Sequence, residues 1–264
     1  AAAERDTDTM DTFVDSSWYF LRYLDPANEA APFAREVVDH WMPADQYIGG
    51  VEHAILHLMY ARFFVKALAD EGLLAAREPF ANLFTQGMIT RDGAKMSKSK
   101  GNVVSPADYV ERYGADSART YVCFMGPPDR GGDWLDEGVE GVHRFLARLW
   151  RLAVEVEGRG VEGGDDVSWQ RGASGDALTL LRKAHWAIDK ATRDFGRDFQ
   201  FNTVIAAVME LVNEAYRVKG GLLGDPEGER AVRFATSTAA SLIFPFAPHL
   251  GAEVWARLEG GDVW

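Results

Sequence analysis

The sequence predicts an α/β half built on a parallel sheet, followed by an all-α helical bundle. Three observations carry this. Strand-like and helix-like periodicities alternate up to about residue 126. The stretch GPPDRGGDW (126–134) is too rich in turn formers to continue a helix. Beyond it come four long helical patterns with no strand candidate between them. The domains are accordingly read as 1–126 and 127–264.

In chain order, ADQYIGG (44–50) is a short strand ending in a glycine pair. VEHAILHLMYARFFVKALADEGL (51–73) follows with apolar residues at helical spacing and Gly72 near its end, so it is read as one long helix. NLFTQGMIT (82–90) reads as a second, buried strand. SPADYVERYGADSARTYVCFM (105–125) opens with a serine cap and proline at the first helical position, and Gly114 splits it into two helices. The bundle patterns are 137–157, 177–195, 201–219 and 229–258, the last broken at Pro245 and Pro248. Strands alternating with helices imply a parallel sheet that binds ligands at the carboxyl ends of its strands.

Composition narrows the function. With 47% hydrophobic and 12% aromatic residues the 264-residue chain can bury a core, and its net charge of −12 argues against coating nucleic acid with the whole surface. The single cysteine, Cys123, excludes an intrachain disulfide and a multi-cysteine zinc site; its apolar neighbours predict a buried thiol, which fits a reducing cytoplasm. The polar start and the absence of a long apolar run indicate neither secretion nor a membrane span.

Against this acidic background, RDGAKMSKSKGNVVSP (91–106) concentrates Lys95, Lys98 and Lys100 on a loop. Charge alone fits a solvated segment. Directly after a strand of a parallel sheet, however, such a loop reads as a phosphate clamp, with Gly93 and Gly101 letting it move. In IGGVEH (48–53), Gly49 and Gly50 either make a plain turn, with Glu52 favouring a helix dipole, or allow close approach to a nucleotide whose ribose hydroxyls Glu52 would hold. His53 and His57 are four apart and share a helical face, which suits a metal pair, but no third ligand is visible and no metal site is assigned. Arg144, Arg148 and Arg151 form a positive stripe, either solvated or facing a phosphate backbone.

KMSKS (95–99) resembles the second signature of class I aminoacyl-tRNA synthetases. TDTMDTFVDSSWYFLRY (7–23), DQYIGGVEHAILHLMYARFF (45–64), QGMI (86–89) and ERYGADSAR (111–119) resemble the leucyl-tRNA synthetase family, in the right order. VEGVHRFLARLWRL (139–152) is similar to the start of that family's tRNA-binding helical domain. The resemblance implies an α/β nucleotide-binding fold, the second half of the Rossmann-like class I catalytic domain, with an anticodon-binding-type bundle behind it.

For individual residues it implies that Lys98, with Lys95, acts on the triphosphate. Gly49, Gly50, Glu52, Gly87, Met88, Met96, Ser97 and Lys98 would bind ATP; at Gly87 and Met88 a plain strand end would look the same. Phe13, Ser16, Tyr19, His53 and His57 would line a leucine pocket, whereas Trp18 is read as core. The cofactors implied are ATP and Mg2+ on its phosphates. The partners are leucine and tRNA(Leu), with no membrane, for a monomeric cytoplasmic ligase.

Two departures qualify the expectation. The family's His-Ile-Gly-His-type signature and its editing insertion do not appear, so the chain is read as an internal fragment, weakly active or inactive alone. Only TRDGA separates QGMI from KMSKS, which resembles the compact bacterial form. Two alternatives stand beside this reading: a non-catalytic tRNA-binding module, and an isoleucine or valine synthetase.

Overall fold

A computed structural model describes residues 4–5, 7–160, 168–196 and 199–263, and the Gly/Asp-rich joint at 161–167 lies outside them. The chain forms two compact units, Ala1–Gly87 and Met88–Trp264. This division falls well before the change in composition at 126, because the lysine loop and the helices after it pack with the bundle.

In the first unit, the Asp11 carboxylate accepts from the Phe13 N–H at 2.8 Å and starts α1 (Thr12–Ser16). α2 (Tyr19–Leu24) and α3 (Arg35–Trp41) follow. Leu21, Phe33, Val38, Val65 and Leu74 form a small core, and Trp18 packs against it. β1 (Tyr47–Gly50) pairs in parallel with β2 (Leu83–Gln86), Tyr47 opposite Leu83 and Gly50 opposite Gln86. The helix expected over 51–73 is broken. Val51–Ile55 forms a 3-10 turn, Leu56 (φ −114°, ψ −98°) interrupts it, and α4 runs only from His57 to Asp70. Gly72, at φ +74°, ends the segment as the sequence implies.

The strand expected over 82–90 also divides. Its first part is β2; its second, β3 (Ile89–Arg91), lies in the other unit, antiparallel to β4 (Ala94–Lys95) and parallel to β5 (Gly132–Asp133). Nor is the first part buried: Leu83 is 52% exposed. The turn-rich 126–134 stretch thus supplies a strand that the sequence does not reveal. α5 (Pro106–Tyr113) and α6 (Ala115–Phe124) meet at Gly114, whose φ of +85° requires glycine. Ser105 occupies the cap position of α5, but its side chain makes no capping bond, so Pro106 carries the start signal. Cys123 is half-buried, and burial raises its thiol pKa.

The bundle comprises α7 (Asp136–Val156), α8 (Gly175–Gly196), α9 (Phe201–Leu222), α10 (Pro226–Ile243) and α11 (Pro248–Leu258). α7 buries Val139, Val142, Leu146, Leu149, Ala153 and Val156, a three- and four-residue rhythm that makes one continuous apolar face. Each fully buried leucine contributes roughly 1.5–3 kcal/mol. α8 and α10 offer alanines (Ala184, Ala187, Ala191; Ala231, Ala235, Ala239), which let helix axes approach closely. Asp116 of α6 closes the bundle from a distance. Its carboxylate accepts from the Leu250 N–H at 2.7 Å and meets His249 Nδ1 at 2.8 Å, capping α11. Arg119 donates to the carbonyls of Pro245 and Phe246 alongside.

Candidate active site

The residues singled out by sequence fall in both units, and each group is built within its own. In the first unit, Gly49 and Gly50 close β1 with ordinary backbone angles, so their value is space. A Cβ on Gly50 would lie 2.7 Å from Glu52 Oε2, and one on Gly49 would lie 2.9 Å from Tyr47 Cε1. The Glu52 carboxylate therefore folds over the end of the strand, at an exposed position.

The break at Leu56 changes the histidine pair. His53 sits on the 3-10 turn, exposed, while His57 begins α4 and is 6% exposed. Because Leu56 separates the 3-10 turn from α4, the two histidines do not share a face of one α-helix, although their rings still meet edge to face at 6.2 Å. Around His57 stand Tyr47 (5.6 Å between ring centres), Tyr19 (5.9 Å) and Phe80 (6.5 Å). Burial first, and His53 second, lowers the His57 pKa, which keeps its imidazole neutral. The Ser16 backbone, near the imidazole, opposes this shift weakly, and no side chain or backbone group among the described residues makes a well-formed hydrogen bond to either buried ring nitrogen or to Ser16 Oγ. Phe13 stacks on Tyr60 at 5.8 Å, where α1 lies on α4. Tyr19, His53 and His57 thus come together, with Phe13 and Ser16 on the helix packed beside them. Tyr47, Tyr60 and Phe80 were not anticipated; an aromatic on the strand before the glycine pair was the available signal for Tyr47.

A cleft of about 600 Å3 that shares Phe80 with this cluster opens between Ile55, Leu58 and Met59 on one side and Phe80 and Leu83 on the other. No expected site residue lines it. Its charged groups are satisfied: Arg62 grips Glu78 through bonds of 2.7 and 2.8 Å, holding the Glu78 pKa at about 2.

In the second unit, Asp92 (φ +54°) and Gly93 (φ +68°) make a two-residue turn of the type that favours Asp-Gly, and it joins β3 to β4 as a tight hairpin. Lys95 ends β4, exposed, and Met96 tucks against the bundle core. Ser97 caps a 3-10 turn over Lys98–Lys100, its hydroxyl accepting from the Lys100 N–H at 3.3 Å, and Gly101 closes the turn at φ +67°. Asn102, not anticipated from sequence, stitches the base. It accepts from the Ser97 N–H at 2.9 Å and donates to the Lys95 carbonyl at 3.3 Å. Gly93 and Gly101 therefore act as fixed corners, and Lys98 and Lys100 project from an ordered turn, both exposed. Met88, 43% exposed, begins this unit directly after Gly87 ends the other.

The arginine stripe is not uniform. Arg144 pairs with Glu140 at 2.7 Å. Arg148 donates to Asn213 Oδ1 at 2.7 Å and lies 4.6 Å over the Tyr216 ring, so it is part of the bundle's own packing. Arg151 is exposed. Among the described residues, no three His, Cys, Asp or Glu side chains group closely enough to hold a metal ion, and no helix is long and apolar enough to cross a membrane.

Residues 1–131 match the family model described as tRNA synthetases class I (I, L, M and V), and residues 178–263 match that of the anticodon-binding domain of tRNA ligase. The chain belongs to the class I tRNA synthetases. This class I chain is 52% identical over 257 residues to the leucine–tRNA ligase of Nitratidesulfovibrio vulgaris, covering 97% of its own length and 31% of that protein. It is 50% identical over 256 residues to the leucine–tRNA ligase of Pseudothermotoga lettingae, again covering 97% of itself and 31% of the relative. It therefore spans about a third of the length of these relatives. Among solved structures it is similar to an Agrobacterium radiobacter K84 LeuRS in a ternary complex with tRNA and LeuAMS. The TM-score is 0.83 at 37% identity, over 98% of this chain and 34% of that one. A Mycobacterium tuberculosis methionyl-tRNA synthetase bound by methionyl-adenylate matches at TM-score 0.69 and 19% identity, over 93% of this chain and 51% of that one, a likeness of fold. The expected class I α/β region followed by a helical bundle is borne out.

Proposed function

We propose that this segment supplies the lysine-loop part of the active site and the helical domain of a leucine-tRNA ligase. The observation that carries the reading is the ordered turn that projects Lys98 from an acidic chain half-identical to leucine–tRNA ligases. In the proposed reaction the leucine carboxylate attacks the α-phosphorus of ATP and pyrophosphate leaves. A ribose hydroxyl at the end of tRNA(Leu) then attacks the acyl carbon, and AMP leaves.

Phosphoryl chemistry of this kind needs charge neutralised and groups aligned more than it needs a general base. Lys98, with Lys95, neutralises charge on the departing pyrophosphate, while Mg2+ arrives on the phosphates as part of the substrate. Met96 and Ser97 shape the turn; Gly49, Gly50, Gly87 and Met88 leave room for nucleotide backbone contact. Glu52 accepts from ribose hydroxyls. Phe13 and Tyr19 enclose the leucine side chain, with neutral His57, His53 and Ser16 Oγ as the polar atoms that orient the amino acid. The ligase acts as a monomer in the cytoplasm.

The test is Lys98→Ala in the full-length enzyme. Leucine-dependent pyrophosphate exchange should fall by about a hundredfold or more, with leucine binding little changed, as for loss of one transition-state electrostatic group. Exchange at the wild-type rate would leave the segment as a non-catalytic tRNA-binding module, the second reading.

A further inference from the structure

The lysine turn hangs on a hairpin only a few residues long, and the strand beside it leads within three residues into the first long helix of the bundle. β5 lies parallel to β3 with Thr90 opposite Asp133, and the Trp134 N–H donates to the Thr90 carbonyl at 2.8 Å. The Asp133 side chain does more than continue the strand. Its Oδ1 accepts from Thr90 Oγ1 at 2.7 Å and from the Gly93 N–H at 3.1 Å, one contact in the strand and one at the corner of the turn. Both contacts fall on the same oxygen. Trp134, 7% exposed, is wedged between Tyr109 (4.9 Å) and Tyr121 (5.0 Å), and its indole N–H donates to Asp136, the first residue of α7, at 3.0 Å. Asp136 also receives the Tyr109 hydroxyl and pairs with Arg91 of β3 at 3.5 Å. The hairpin is thus held at its corner by Asp133 and at its strand by Asp136, on a segment that is itself fixed by the tryptophan.

We propose that Asp133 is a positioning residue for amino-acid activation: by holding Thr90 and the Gly93 corner through one carboxylate oxygen, it fixes where the Lys98 turn stands relative to α7. The inference rests on the reading of Lys98 given above. Asp133 touches no reacting atom. It acts through the hairpin, and small misplacements of an aligned group cost rate steeply.

Three variants of the full-length enzyme test this, each assayed by leucine-dependent pyrophosphate exchange beside Lys98→Ala. Asp133→Ala removes the acceptor and should lower kcat by about tenfold while leaving the KM for leucine unchanged, as expected when alignment and not binding is lost. Asp133→Asn keeps an oxygen at Oδ1 and should recover activity to within about threefold of wild type, since a neutral amide oxygen still accepts both bonds. Thr90→Val removes one donor without touching Asp133, and combined with Asp133→Ala it should add little, as for residues acting as one unit. It also serves if Asp133→Ala does not fold. On the present chain, Asp133→Ala should speed tryptic cleavage after Lys98 and Lys100.

If Lys98→Ala slows exchange while Asp133→Ala and Thr90→Val run at the wild-type kcat, the positioning role is overturned and the function of the loop stands. If Asp133→Asn is as slow as Asp133→Ala, the charge matters in some other way, and the proposal is equally overturned. If Lys98→Ala itself has no effect, the reading of the loop fails and takes the positioning role with it.

Discussion

Gly138→Ala is a substitution whose sign the structure reverses. In the first turns of a helix, alanine for glycine stabilises by about 0.5–1 kcal/mol, because glycine gives up more backbone freedom on folding. At Gly138 of α7, however, a Cβ would lie 2.4 Å from Tyr121 Cε2, 2.9 Å from Cζ and 3.0 Å from the hydroxyl. The ring cannot swing away. It is 4% exposed, stands edge-on to Trp134 at 5.0 Å, and its oxygen accepts from the Leu135 N–H at 2.9 Å. Normal carbon contacts need about 3.5–4.0 Å, so the start of α7 or the ring must move by about 1 Å. Such overpacking costs about 1–3 kcal/mol, and loosening the Leu135 bond adds roughly 1 kcal/mol. After the propensity gain, the net destabilisation is about 1–3 kcal/mol. Gly220→Ala in α9 is the control, since nothing lies within 4 Å of its added Cβ and only the favourable contribution remains. In thermal and urea unfolding followed by circular dichroism, Gly138→Ala should lower Tm by about 2–10 °C and Gly220→Ala raise it by about 1–4 °C. Tyr121→Leu in the same chain should relieve most of the Gly138→Ala penalty. Two glycine variants that shift Tm in the same direction would refute the close approach of α7 to Tyr121.

Two further outcomes follow from side-chain surroundings. The folded-state pKa of His57 lies below its unfolded value, so the native state binds fewer protons; the associated stability is present above about pH 6.5 and is lost as pH falls through the folded pKa. His57→Phe should therefore lose less stability than wild type as pH falls below about 6.5, and identical slopes would contradict a buried neutral imidazole. Arg148→Ala should lower stability by about 1–2 kcal/mol through the lost Asn213 and Tyr216 contacts. On the proposed tRNA-binding reading of the bundle, with Arg151 as a phosphate contact, Arg151→Ala should leave Tm alone and reduce the salt slope of tRNA binding by about one; anisotropy titrations showing the reverse assignment would restore Arg148 to the phosphate-facing stripe.

The bundle was legible because its information is local. Val139, Val142, Leu146, Leu149 and Ala153 state the period of α7, and Pro248 states where α11 begins. The α/β half was legible in outline and wrong in its joints. QGMIT reads as one strand because nothing in its composition marks that Gln86 pairs with Gly50 while Ile89 pairs with Gly132, a residue of the turn-rich stretch. VEHAILH carries the periodicity of a helix, and its break at Leu56 is a matter of tertiary packing that brings His57 beneath Tyr47 and Tyr19. α1, α2 and α3 are only five to seven residues long, too short for a periodic signal. Of the candidate site, KMSKS announced the lysines, but not that Ser97, Gly101 and Asn102 would make an ordered turn of them. The arginine stripe was legible only as a spacing, which shows that residues share a helix face and not that Asn213 and Tyr216 already engage Arg148.

The contact between Asp116 and the start of α11 joins positions 133 and 134 residues apart. Closing so long a loop is entropically expensive and comes late relative to the local helix contacts. During synthesis, which proceeds from the amino end, α6 must wait for almost the whole bundle to emerge before the Asp116 carboxylate finds its amides. Until then Asp116 and Arg119 face water, and the helices that follow the lysine turn lack their last support. A nascent chain stalled before residue 249 would accordingly carry every residue of the KMSKS turn while missing the helix that locks its scaffold. Pulse proteolysis of ribosome-bound intermediates would register that gap as a late, single gain of protection across α6 and α11 together.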